Sequence, residues 1–199
     1  MKRIDFVWAL VAAGLATTAC GEDLAPDQDE TGAGGSPAGS RVIHLEEAAD
    51  VRLTRVDARS EEAWVYLDLD AAGETDEAGG WDLAFQRMAV ISNGGASGDG
   101  GVAVARIEGT FDDVGEVPES AFVADAEDGA DDDDLPDSVF LGSDPWYAYD
   151  LESHTLAPQE RVFVVRSTEG ALFQLAFEGY YDAAGTSGYP TFRWSPLSG

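Results

Sequence analysis

From Arg41 onward the apolar positions fall in short runs that alternate with polar residues or are rich in Val, Phe, Tyr and Trp, and no run keeps a helical period over three turns. This predicts strands at 41–45 (RVIHL), 50–57 (DVRLTRVD), 63–70 (AWVYLDLD), 81–92 (WDLAFQRMAVIS) and 101–109 (GVAVARIEG), then 161–168 (RVFVVRST), 172–182 (LFQLAFEGYYD) and 190–194 (PTFRW). In AWVYLDLD one face carries Val65, Leu67 and Leu69 and the other Trp64, Tyr66 and Asp68. The alternation in DVRLTRVD is weaker, with Val51, Leu53 and Arg55 opposing Arg52, Thr54 and Val56. Between these runs, AAGETDEAGG, STEGA and DAAGTSG have turn chemistry, because glycine adopts positive φ at no steric cost. PESAFVADA (118–126) predicts one short helix capped near Glu119 or Ser120. The expected fold is mainly β, with antiparallel sheets in a single sandwich-like or partly closed barrel-like domain over residues 41–199.

The first residues break this pattern. Lys2 and Arg3 precede an apolar stretch from Phe6 to Ala16, and Thr-Thr-Ala-Cys follows, ending at Cys20. A charged start, a short apolar run and a small-residue end make residues 1–19 an export signal, and the run is too short for a membrane span of about 20 residues. Cys20 is the only cysteine, so no intrachain disulfide can form. Its place directly after the signal resembles a bacterial lipobox, in which the thiol is acylated after cleavage, although Thr17 stands where a leucine is usual. Residues 20–40 (CGEDLAPDQDETGAGGSPAGS), rich in Gly, Pro, Ser and acids, read as the acylated Cys and a disordered tether.

Charge narrows the partners. The chain has 39 acidic and 11 basic residues, a formal net charge of −28. Loss of residues 1–19 removes Lys2, Arg3 and Asp5, leaving nine Arg, no Lys and 38 acids, or −29. Such a surface repels polyanions, which excludes nucleic acid as a partner and restricts membrane contact to a lipid anchor. The acid-rich stretch 125–138 lacks the alternating ligand spacing of a calcium loop, since Asp131 to Asp134 are consecutive, and it reads as a solvated loop.

Three features carry a family resemblance. They are the strand WDLAFQR, the loop SNGGASG beginning seven residues after Phe85, and the stretch YAYDLESHTLAPQERVFVVRSTEGALFQLAFEGYYDAAGTSGYPTFRW. In this order and spacing they resemble the HmuY family of bacterial haem-binding lipoproteins, over most of residues 41–194. The resemblance implies a mainly β lipoprotein, anchored at the outer membrane by its acylated Cys and displayed on the cell surface or released from it. It further implies that the protein acquires iron by taking up haem and passing it to an outer-membrane receptor.

Members of that family hold haem iron between two axial side chains, His or Met. This chain offers His44 and His154, with Met88 the only methionine after the signal. Imidazole nitrogen and thioether sulfur are both neutral donors suited to haem iron, and bis-His, His/Met and Met-free pairings all remain arithmetically open. His154, in DLESHTLAP before a predicted strand, is the leading ligand; its alternative role is to hydrogen-bond its loop to the sheet. Met88 is the second candidate, against a plain core position. His44 lies in the first strand, where nothing in the resemblance places a pocket. Trip-wise neighbours Trp146, Tyr147 and Tyr149 precede His154 and offer aromatic walls for a flat macrocycle. Arg87 and Arg106 flank the glycine loop and are the cations available to haem propionates, although carboxylate pairing accounts for either equally well.

The glycine loop has neither the strand-to-helix setting nor the Lys of a phosphate loop, so it reads as a structural device for close backbone approach. No nucleophile elbow and no His-Glu-x-x-His motif is present, and no carboxylate pair stands out from the rest. The expectation is a binding protein and not an enzyme. The competing expectation is a surface-displayed structural or protein-interaction lipoprotein that has lost haem binding.

Overall fold

The computed structural model describes residues 39–129 and 135–197. The export signal, Cys20 and nearly all of the tether, together with Asp131 to Asp134, lie outside the described residues. Twelve strands are described: β1 (Val42–Ala48), β2 (Val51–Val56), β3 (Val65–Asp68), β4 (Gly73–Thr75), β5 (Leu83–Gln86), β6 (Ala89–Ser92), β7 (Ala103–Ile107), β8 (Tyr147–Asp150), β9 (Thr155–Pro158), β10 (Val162–Arg166), β11 (Leu172–Tyr181) and β12 (Ser187–Pro196). They form a six-stranded antiparallel sheet in the order β1-β2-β12-β11-β10-β7, a four-stranded sheet β4-β3-β5-β6, and the separate hairpin β8-β9. Neither large sheet closes into a barrel, and the fold is sandwich-like.

One face of each sheet supplies the core. In β3, Val65 and Leu67 are buried, as is Leu69 beyond it, while Trp64, Tyr66 and Asp68 face outward, as the alternation predicts. In β12, Phe192 and Trp194 point inward and Tyr189, Thr191 and Arg193 outward. The sheets meet where Phe85 of β5 stacks on Phe192 of β12, with ring centroids 5.4 Å apart and planes 6° from parallel. Truncating either ring to Ala would cost about 3–5 kcal/mol, the range for a fully packed aromatic. The weakly alternating β2 buries Thr54 and Val56. Thr54 tolerates this because its hydroxyl accepts from Trp194 Nε1 at 2.8 Å and lies 2.8 Å from His44 Nδ1.

Four segments depart from the sequence pattern. The run 81–92, predicted as one strand, folds back on itself, and Gln86 pairs with Ala89 across a two-residue turn. Both arms are buried, so the apolar run gives no sign of the break. Two-residue hairpins favour positive φ, and Arg87 supplies it with φ 53. The predicted helix over 118–126 shrinks to a 3-10 turn, Glu119–Ala121, preceded by Pro118 without a side-chain cap. Val123 instead exchanges two backbone hydrogen bonds with Val104, at 2.8 and 3.0 Å, which holds the chain extended. β4 arises within a segment read as turn. The β8-β9 hairpin, read as loop, has mostly exposed strands and so lacks the inside-outside alternation that marks the others.

Candidate functional site

The β8-β9 hairpin stands beside the β5-β6 turn and the ends of β11 and β12, and an open cavity of about 540 Å³ lies between them. The β5-β6 turn contributes Arg87 and Met88, β8 contributes Tyr147 and Tyr149, the hairpin turn His154, and β9 Leu156. Tyr180, Tyr181 and Ser187 close the opposite side. All four side chains singled out for cofactor binding, Met88, Tyr147, Tyr149 and His154, therefore share one cavity, although Met88 lies far from the others in sequence.

Met88 is 45% exposed at the tip of its turn, so it is not the core residue that its apolar surroundings suggest. The turn is pinned from behind: Trp146 Nε1 donates to the Met88 carbonyl oxygen at 3.0 Å. Trp146 is fully buried and stacks on Phe177 at 4.3 Å, which makes it a support for the site and corrects the expectation of a pocket wall. His154 sits in the left-handed region, with φ 53. Its Nδ1 lies 3.0 Å from the Tyr149 hydroxyl, and Nε2 has no hydrogen-bond partner among the described residues. The imidazole is thus tied to its own hairpin and not to the large sheets.

His44 is placed elsewhere and is fully engaged. Its Nε2 donates to the Ala72 carbonyl oxygen at 2.8 Å, and Nδ1 lies 2.8 Å from the Thr54 hydroxyl. Both ring nitrogens are thus spent on hydrogen bonds within the fold. Arg106 is also away from the cavity, paired with Asp144 at 3.2 Å. Arg87, one of the two cations the sequence offers to haem propionates, does line the cavity, whereas Tyr180 and Tyr181, which line it too, were not singled out by the sequence reading. Burial pushes the Tyr180 phenol up from its ordinary value, and the nearby positive charge of Arg87 partly offsets this.

The glycine loop lies outside the cavity and is structural, as read. A side chain at Gly94 would strike the Val102 carbonyl oxygen, and one at Gly95, where φ is 62, the Asp125 carbonyl oxygen. Asn93 bridges the loop, donating to Trp81 O at 2.8 Å and accepting from Gly100 N at 2.9 Å. Asp125 corrects the reading of 125–138 as simply solvated. It is buried, and its carboxylate accepts from Ser92 N, Ser92 Oγ and Ser97 Oγ at 2.8, 2.8 and 2.6 Å. Asp68, Asp70 and Asp82 also gather oxygens within 4.8 Å of one another. Both Asp82 oxygens are spent on backbone donors, Leu69 N at 2.8 Å and Thr168 N at 2.7 Å.

A family model described as HmuY protein matches residues 60–194. The chain belongs to the HmuY family. Among solved structures, an HmuY-like protein of Bacteroides vulgatus, designated haem-binding, is 18% identical with a TM-score of 0.58, covering 80% of this chain and 99% of its own. A Bacteroides fragilis chain designated a lipoprotein is 23% identical with a TM-score of 0.56, covering 80% and 98%. The apo HmuY analogue of Tannerella forsythia is 14% identical with a TM-score of 0.57, covering 77% and 100%. At these identities the structural likeness establishes the HmuY fold. No curated protein matches the chain. Among the described residues no helix is long and apolar enough to cross a membrane.

Proposed function

We propose that this HmuY-family domain binds haem in the cavity beneath the β8-β9 hairpin, as a lipoprotein that carries haem to an outer-membrane receptor. The observation that carries the reading is the convergence of one imidazole, one thioether and several aromatic faces on one cavity, from turns that are remote in sequence. These residues suit the ligand. Tyr147 and Tyr149 offer flat surfaces to a macrocycle. His154 keeps Nε2 unengaged, and Met88 exposes its sulfur-bearing side chain to the same space. Haem is here the cargo, and the chain's task is to bind, orient and release it, with no bond-making step assigned to any residue.

Anchoring through an acylated Cys20 is the expectation from the N-terminal sequence and display on the outer membrane the expectation from the family resemblance, and both fit the lipoprotein designation of a structural relative. The rival role, a surface lipoprotein that binds protein and not haem, uses the same display without the cavity.

Titrating residues 41–199 with haem, oxidised and reduced, separates the two. The haem reading expects a saturable Soret band that is lost or displaced in His154→Ala and altered in Met88→Ala. Absence of any saturable band in both redox states would leave the interaction role standing.

A further inference from the structure

We propose that Arg87 is a seat for an anionic side-arm of the ligand, so that the cavity selects a tetrapyrrole with free carboxylates over its neutral ester. The inference rests on the haem reading and adds to it the residue and the ligand feature that set specificity.

The chain is overwhelmingly acidic, with 39 Asp and Glu against 11 Lys and Arg. In such a chain a guanidinium without a carboxylate partner is unusual, and the described arginines behave accordingly. Arg41, Arg52, Arg59, Arg106, Arg161, Arg166 and Arg193 each form an ion pair. Arg55 lies close enough to Asp182 to lower the pKa of that carboxyl. Of the two described arginines without an ion pair, Arg55 and Arg87, only Arg87 sits at the cavity. Its guanidinium reaches only neutral acceptors, the Ser187 hydroxyl at 3.2 Å and the Arg59 carbonyl oxygen at 3.4 Å. Both bonds are long for a charged donor, so most of its five N–H groups stay available to a stronger acceptor.

The fold also goes to some length to keep the side chain there. Arg87 takes a left-handed backbone conformation, its amide donates to the Ala58 carbonyl oxygen at 2.7 Å, and a Cβ on Gly188 would stand 2.9 Å from its Nη1. A strained, anchored and charge-unsatisfied cation beside an aromatic cavity has the chemistry to grip a carboxylate in bidentate fashion. Haem meets that need with its propionates, and the same cation would give little to an uncharged macrocycle.

Iron protoporphyrin IX and its dimethyl ester share ring and metal and differ only in the carboxylates, so their affinities for the wild-type domain, Arg87→Gln and Arg87→Lys isolate the effect. The wild type should bind haem about tenfold or more tightly than the ester, as expected for a charge-assisted pair. Arg87→Gln should bring the two near equality by weakening haem, Arg87→Lys should restore part of the preference, and thermal melts should show both variants folded. Equal affinities in the wild type, or a preference undiminished in folded Arg87→Gln, would overturn the inference while leaving haem binding intact. A wild type that binds neither porphyrin would overturn the haem reading and this inference together.

Discussion

The Tyr149 hydroxyl lies 3.0 Å from Nδ1 of His154, across the tip of a hairpin that forms a two-stranded sheet of its own. A partner on one ring nitrogen fixes how the other is presented, because a hydrogen bond accepted by the hydroxyl leaves Nε2 as the basic atom. Tyr149 is 51% exposed, so Tyr149→Phe should change stability by less than about 0.5 kcal/mol. Haem affinity should nevertheless fall severalfold, with a changed absorption spectrum in the axial-ligand region. Wild-type spectrum and affinity in Tyr149→Phe would show that the hydroxyl does not position the imidazole.

His154 and Arg87 are two of four described non-glycine residues with positive φ, and both line the cavity. A left-handed side chain costs about 1 kcal/mol that glycine avoids. His154→Gly should therefore leave the melting temperature unchanged or raise it, while removing haem ligation. A clear loss of stability in calorimetry would mean that the imidazole is a packing element.

The glycine loop makes the opposite prediction. Because a Cβ on Gly94 meets backbone, which cannot swing aside, Gly94→Ala should cost about 2–4 kcal/mol. Gly101 has φ 74 and open space around it, so Gly101→Ala should cost only about 1 kcal/mol of backbone strain. Urea melts of the two variants would check the order, and haem affinity of the folded fraction should be unchanged in both.

Acid should stabilise the domain before it unfolds it. Burial raises Asp82 and Asp125 above the ordinary 3.8, against the pull of the donors that surround them. A raised carboxyl binds its proton more tightly when folded, so its contribution is fully present below about 3.8 and is lost as pH rises through the folded value. Asp57, held down chiefly by the Arg59 side chain, and Asp150 and Asp182, held down by backbone donors, act in the other direction and lose their contribution below 3.8. Relief of self-repulsion in so negative a chain adds to the first effect. The melting temperature should rise from pH 8 toward about 4 and fall below about 3, and Asp125→Asn should flatten the upper limb. A melting temperature that drops steadily from pH 8 downward would contradict this.

The parts of the fold that alternate strongly were legible from sequence, because burial on one face imposes a period of two; β3 and β12 are the clearest cases. The break at Arg87 was not, since both arms are buried and the turn residue is an arginine under strain and not a glycine. The β8-β9 hairpin was hidden for the converse reason: Tyr147, Tyr149 and Thr155 face solvent or cavity, and no core demands a pattern from them. At the site, His154, Met88, Tyr147 and Tyr149 were reached through family resemblance and residue chemistry. Arg87 and Arg106 were equal candidates for haem propionates in the sequence, and what separates them is that Arg106 is paired with Asp144 while Arg87 forms no ion pair among the described residues, which a one-dimensional reading cannot register. Trp146 looked like a wall because it adjoins Tyr147, yet the strand turns its ring inward onto Phe177.

The central claim is that haem iron is held at the cavity between the β5-β6 turn and the β8-β9 hairpin. An anomalous difference map at the iron edge, from crystals of the haem-loaded domain, tests it directly. The account requires the iron peak inside this cavity, within bonding distance of His154, Met88 or both. A peak at any other surface, or crystals that take up no iron at saturating haem, would contradict it.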